Sequence, residues 1–146
     1  MEKVLANLEE LEEEAKKFVA SLAPLTKGAT LVTLSGELGA GKTAFTKAVA
    51  HVLGIEEVVT SPTFVLEKIY SLGGEVSKFK RLIHIDAYRL ELGNDLVSLG
   101  FDELMQNSGN LILLEWPEKV ADALPEPAMR ISFSAHEDGS RTMVYG

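Results

Sequence analysis

Residues 36–43 read Gly36-Glu37-Leu38-Gly39-Ala40-Gly41-Lys42-Thr43, a complete G-x-x-x-x-G-K-[ST] phosphate-binding loop. Gly36, Gly39 and Gly41 open backbone conformations closed to other residues, which lets successive N–H groups turn inward on a phosphate. The positive end of a following helix adds to that attraction. Glu37, Leu38, Gly39, Ala40, Gly41, Lys42 and Thr43 are therefore the residues expected to cradle a nucleotide's phosphates. Lys42 would reach the β- and γ-phosphates and the Thr43 hydroxyl would sit on Mg²⁺.

Such a loop needs an acid for the metal, usually at the end of a neighbouring strand. Two acids qualify: Asp86 after Leu82-Ile83-His84-Ile85, and Glu115 after Leu111-Ile112-Leu113-Leu114. The second run has no polar residue, so it belongs in the middle of a sheet beside the phosphate-loop strand, with Glu115 next to Thr43. Glu115 is assigned to the metal, directly or through a metal-bound water; its other reading is a carboxylate capping the helix after Pro117. Asp86 could orient the attacking water or hold a metal-bound water; its other reading is a His84–Asp86 pair that stabilises a loop. Lys42, Asp86 and Glu115 are thus the candidate catalytic residues, and Thr43 and Glu115 the candidate metal ligands. Thr60-Ser61-Pro62-Thr63 stands where switch loops sense a γ-phosphate, although the same residues also make an ordinary turn. Trp116 is expected to pack, with the nucleotide as another possible neighbour.

The elements that must position these groups follow from periodicity. Thr30 to Leu34 is an apolar, β-branched strand ahead of the loop, and Ala44 to Leu53 has helical spacing that stops at Gly54. Leu8, Leu11, Ala15, Phe18, Val19 and Leu22 form the apolar stripe of an earlier helix, whose outer face carries Glu9, Glu10, Glu12, Glu13 and Glu14. Phe64 to Tyr70 and Arg81 to Asp86 flank the Gly73-Gly74 turn signal and suit an antiparallel ribbon. Asn94 is placed to cap a helix over Leu96 to Met105, interrupted by Gly100. Met129 to Phe133 alternates, and Asp138-Gly139 makes a hairpin to Thr142–Tyr145. The expected fold is α/β: one phosphate-loop NTPase domain over residues 1–146, with a mixed, mostly parallel central sheet, flanking helices and the antiparallel ribbon.

Composition narrows the chemistry further. The 146 residues include no cysteine, which removes disulfides, a cysteine nucleophile and thiolate metal sites, and fits a reducing cytosol. No apolar run approaches the roughly 20 residues a membrane span needs, and the acidic start is unlike a signal peptide. A net charge of −8 makes autonomous binding of nucleic acid a poor expectation, so any RNA is expected to be held by a partner.

Taken together, Gly-Glu-Leu-Gly-Ala-Gly-Lys-Thr, Thr-Ser-Pro-Thr-Phe, His-Ile-Asp-Ala-Tyr-Arg-Leu and Glu-Trp-Pro-Glu resemble the TsaE (YjeE-type) ATPase family of tRNA threonylcarbamoyladenosine biosynthesis. The resemblance spans the chain from the Glu-rich first helix to the C-terminal strands, and the Asp86 cluster with Glu-Trp-Pro is its more specific part. It implies a cytoplasmic ATPase using ATP, ADP and Mg²⁺ that joins TsaB and TsaD. Those proteins transfer a threonylcarbamoyl group to the adenosine next to the anticodon in tRNAs reading codons that begin with adenine. It also implies nucleotide-sensing roles for Ser61-Pro62-Thr63 and for His84 to Arg89, and a Mg²⁺ ligand at Glu115. The chain departs from the family in lacking a Ser/Thr-rich start to its first helix, which reads Asn7-Leu8-Glu9-Glu10-Leu11, and in having Ala48 where a glycine is frequent. A small-molecule kinase would use the same loop but needs an arginine-bearing lid, and Arg81, Arg89, Arg130 and Arg141 are scattered. The guanine-binding Asn/Thr-Lys-x-Asp element of a GTPase is absent from the sequence. A nucleotide-binding regulator that does not turn over stays open.

Overall fold

The computed structural model describes residues 1–37, 39–55, 67–73 and 78–146. Among them the order of elements is β1 (Glu2–Leu5), α1 (Leu8–Ser21), β2 (Thr30–Ser35), α2 (Lys42–Val52), β3 (Glu67–Ser71), β4 (Arg81–Asp86), α3 (Asn94–Val97), α4 (Phe101–Met105), β5 (Asn110–Glu115), β6 (Met129–Ala135) and β7 (Arg141–Tyr145). Two short 3₁₀ turns, Pro117–Lys119 and Ala121–Ala123, follow β5. The strands make one sheet in the order β1-β7-β6-β2-β5-β4-β3. Its central four strands, β6, β2, β5 and β4, run parallel, while β3, β7 and β1 join their neighbours antiparallel. This is the α/β class and mixed sheet expected from sequence, and the ribbon is β3 with β4.

Alternation along the central strands sorts the core into two layers. Leu111 and Leu113 of β5, Val32 and Leu34 of β2, and Leu82 of β4 face α1 and α2, where they meet Leu11, Ala15, Phe18, Phe45 and Val49. Ile112, Leu114, Leu31, Ile83 and Ile85 face the other way, onto Leu96, Phe101 and Leu104. Phe45 anchors the first layer between Phe18, with ring centroids 5.2 Å apart, and Phe133, at 5.6 Å. Every residue of β5 is buried, which is why that segment carries no polar residue before its ends.

Several local features differ from the sequence reading. Periodicity does not reveal β1: Glu2-Lys3-Val4-Leu5 is four residues long at the sheet's edge, with only Leu5 buried, and it is a strand because β7 offers a free ladder, pairing Lys3 with Met143. Helix α3 begins at Asn94 itself, so Gly93 rather than Asn94 occupies the cap; the Asp95 carboxylate accepts from the N–H groups of Glu91 (3.0 Å) and Leu92 (3.1 Å) instead. The expected interruption is a full break, because Gly100 takes a left-handed φ of 75° and starts α4. Helix α2 takes in Lys42 and Thr43. At the start of α1, Asn7 Oδ1 accepts from Glu10 N at 3.0 Å and the Glu10 carboxylate accepts from Ala6 N at 2.5 Å, so the helix is capped without a Ser or Thr. The Thr60–Phe64 segment lies outside the described residues, as does Gly74 of the turn signal.

Glu14, read as part of an exposed acidic face, is buried, and its Oε1 accepts from the Tyr145 hydroxyl at 2.7 Å. The stripe of α1 is wider than its apolar residues because β7 brings a phenol to meet a carboxylate. Burial, and then the hydrogen bond to Glu14 and its charge, push the Tyr145 phenol well above the ordinary tyrosine range. The folded phenol therefore stays protonated where the unfolded one ionises, and stability is lost as pH rises above about 10. Tyr145→Phe is expected to cost about 1–2 kcal/mol at neutral pH, because Glu14 loses its donor. The gap between variant and wild type should narrow above about pH 10 in urea titrations.

Candidate functional site

The loop at the carboxyl end of β2 is shaped by its glycines. Gly36 has φ 140°, and a Cβ placed there would stand 2.5 Å from the carbonyl oxygen of Phe133 on β6. Gly36→Ala is expected to destabilise the fold by about 2–3 kcal/mol, since strain in φ and a backbone clash add together. Chemical denaturation reads this directly. Gly41 has φ 115° and is the cap of α2, its carbonyl accepting from Phe45 N at 2.9 Å. Leu38 of the loop lies outside the described residues.

Lys42 starts α2 with its side chain folded into the loop, where the ammonium donates to the carbonyls of Gly36 and of Glu37 (2.9 Å). It also stands 4.2 Å from the centre of the Trp116 ring. Burial pushes the Lys42 ammonium below its usual range, against the upward pull of Glu115, Glu118 and Asp86. Trp116 is the one non-glycine residue with positive φ (60°) among those described, which turns its ring toward Lys42, with Tyr88 at 5.0 Å on another side.

The acids arrive by strand parity. Glu115 is on the same side of β5 as Leu111 and Leu113, the side that α2 covers, so it meets the first turn of α2. Both of its carboxylate oxygens lie 3.3 Å from Thr43 Oγ1. Asp86 pairs in register with Glu115 on the adjacent β4 and accepts from Tyr88 N at 3.0 Å. His84, two residues earlier, faces the same side, but its partner is Glu115 rather than Asp86, with Nε2 at 2.5 Å from Glu115 Oε2. The alternative reading of Asp86, a pair with His84, gives way at the histidine to a contact with Glu115 on the neighbouring strand. Lys42, Thr43, Asp86 and Glu115 all line one cavity of about 330 Å³, together with Gly39, Gly41, Ala44, Tyr88, Trp116 and Arg141.

In the sequence Arg141 is one of several scattered arginines. From the first position of β7 its Nη1 donates to Gly39 O at 3.1 Å, across 102 residues of chain, and its guanidinium occupies the space a Gly41 Cβ would need. The hairpin signal Asp138-Gly139 locates Arg141 at a strand start; nothing local says that the strand ends over the loop.

The donor set fits Mg²⁺. A hydroxyl and a carboxylate are hard oxygen donors placed side by side, and Mg²⁺ takes most of its remaining ligands from water and phosphate. No cluster of three His, Cys, Asp or Glu side chains suited to caging a metal occurs among the described residues, as a zinc site would need. Among those residues no helix is long and apolar enough to cross a membrane.

Comparison with known proteins agrees with this geometry. A Bacillus subtilis (strain 168) protein named tRNA threonylcarbamoyladenosine biosynthesis protein TsaE is 36% identical over 133 residues, covering 91% of this chain and 79% of that one. A Treponema pallidum (strain Nichols) protein of the same name is 40% identical over 120 residues, covering 82% and 84%. The crystal structure of Bacillus subtilis YdiB superposes with a TM-score of 0.75 at 31% identity, over 99% of this chain and 83% of that one. The family model described as threonylcarbamoyl adenosine biosynthesis protein TsaE matches residues 8–143, and the chain belongs to the TsaE family.

Proposed function

We propose that residues 1–146 act as one ATPase domain that binds ATP or ADP with Mg²⁺ and serves the threonylcarbamoyl modification of tRNA together with TsaB and TsaD. The observation that carries this reading is the convergence of Lys42, Thr43 and Glu115 on a single cavity at the end of β2. In it Glu37, Leu38, Gly39, Ala40, Gly41, Lys42 and Thr43 hold the phosphates: backbone N–H groups and the α2 terminus supply diffuse positive charge, and Lys42 supplies a localised one. Bound Mg²⁺ would neutralise charge developing on the phosphates. Thr43 and Glu115 are the residues to hold it, Glu115 directly or through water. Asp86, one strand over, is the residue to orient the attacking water or respond to the γ-phosphate.

Arg141 reaches the loop from the β7 side of β2, whereas Glu115 and Asp86 lie on the β5 side. In this reading Arg141 serves the loop, and a further cation for the transition state would come from a partner. The isolated chain should turn over slowly and be stimulated by its partners, which would read its nucleotide state. With a net charge of −8, tRNA should meet the assembly and not this chain alone. The cytoplasm is the corresponding compartment. The test is purified protein with labelled ATP, alone and with TsaB and TsaD, combined with gel filtration of the three proteins with and without ATP. Nucleotide-dependent association and stimulated release of phosphate without any small-molecule acceptor are expected. Failure to associate under every nucleotide condition, or tight salt-sensitive tRNA binding by the lone chain, would overturn the proposal.

A further inference from the structure

His84 is wholly buried, and its Nε2 lies 2.5 Å from Glu115 Oε2, nearer than Thr43. The side chains are 0% and 3% exposed, so neither can exchange this contact for water. The other ring nitrogen, Nδ1, has no hydrogen-bond partner among the described residues. A neutral imidazole has one donor and one acceptor. With the proton on Nε2 the ring donates to a carboxylate, and only a lone pair is left unmatched at Nδ1. With the proton on Nδ1, a buried donor would go unpaired and two lone pairs would face each other across 2.5 Å.

The placement follows from the sheet. His84 pairs with Leu113 in the β4–β5 register, so its ring lies diagonal to Glu115, two residues on. The β5 backbone fixes where the Glu115 side chain starts, but not where its three torsions carry the carboxylate. His84 restrains Oε2, and Thr43 lies 3.3 Å from both oxygens. We propose that His84 is a positioning residue for the metal: by donating Nε2–H to Glu115 it aims the carboxylate at Thr43 and so sets how tightly the site takes Mg²⁺. This rests on the reading of Glu115 as the metal ligand.

The experiment is the Mg²⁺ dependence of binding of a fluorescent ADP analogue to wild type, His84→Phe and His84→Gln, with affinity in EDTA measured alongside. His84→Phe keeps the ring shape and removes the donor; His84→Gln restores a donor near Nε2. The half-saturating Mg²⁺ concentration should rise roughly 10- to 100-fold in His84→Phe, as for loss of a partner that orients a metal ligand. The EDTA affinity should stay within about twofold, since the loop itself is untouched. His84→Gln should recover most of the loss. In wild type alone, nitrogen NMR of the ring should find the proton on Nε2, a readout that survives even if His84→Phe does not fold. An unchanged Mg²⁺ requirement in His84→Phe, an equal loss in EDTA, or a proton on Nδ1 overturns the role of His84 while leaving that of Glu115 standing. Wild type that binds the analogue regardless of Mg²⁺ overturns the Glu115 reading and this inference with it.

Discussion

Lys42→Ala should lose about 2–4 kcal/mol of ATP affinity, roughly 30- to 700-fold in Kd, measured by calorimetry. The loss is large because the ammonium sits inside the loop, among acids. Glu115, Glu118 and Asp86 act on Lys42, all anionic, and without the ammonium they repel a triphosphate. Arg141 is occupied at Gly39 O on the other flank of the loop. The fold should survive, since of the two residues whose carbonyls Lys42 now satisfies Gly36 is half-buried and Glu37 exposed, so water can replace the ammonium. A urea melt run beside the calorimetry separates a lost contact from a lost fold. Unchanged affinity in a folded variant would remove the loop as the phosphate site.

Glu115→Ala and Asp86→Ala should fail in different ways. Glu115 touches Thr43, so its removal should abolish the Mg²⁺-dependent part of nucleotide binding, a loss of about 2–3 kcal/mol, and leave the buried His84 without its acceptor. Stability should fall with it. Asp86 lines the same cavity from the next strand, and Glu115 is the acid beside Thr43, so binding should be spared and turnover fall roughly 100-fold. Asp86→Asn provides the control, because an amide oxygen can still accept from Tyr88 N and preserve the turn. If Asp86→Asn hydrolyses ATP like wild type while Asp86→Ala does not, the carboxylate's work is structural. Equal binding and hydrolysis in wild type, Glu115→Ala and Asp86→Ala would remove both assignments.

Much of this was legible in the chain because it is encoded locally. The loop is eight consecutive residues, and a glycine pattern with lysine and threonine states its own backbone requirements. The strands Thr30–Ser35, Arg81–Asp86 and Asn110–Glu115 announce themselves by apolar runs of strand length, and the lack of polar residues in the last placed it next to β2. Parity along such strands also determines which side Glu115 and Asp86 occupy.

Tertiary structure decided what periodicity cannot hold. A strand's pattern says which face is buried, not which strand or side chain lies across from it. So His84 meets Glu115, because the β4–β5 register sets it opposite Leu113 and diagonal to Glu115. Glu14 looked like one more surface glutamate until β7 laid Tyr145 against it. Two charged and two apolar residues, Glu2 to Leu5, make β1 because β7 has an open edge. Arg141 reached the phosphate loop because the β6–β7 hairpin folds back over it, and the partner is 102 residues away. The residues of the phosphate loop could be named from sequence because their chemistry depends on neighbours in the chain. The groups that aim and flank them could not, because their chemistry depends on neighbours in space.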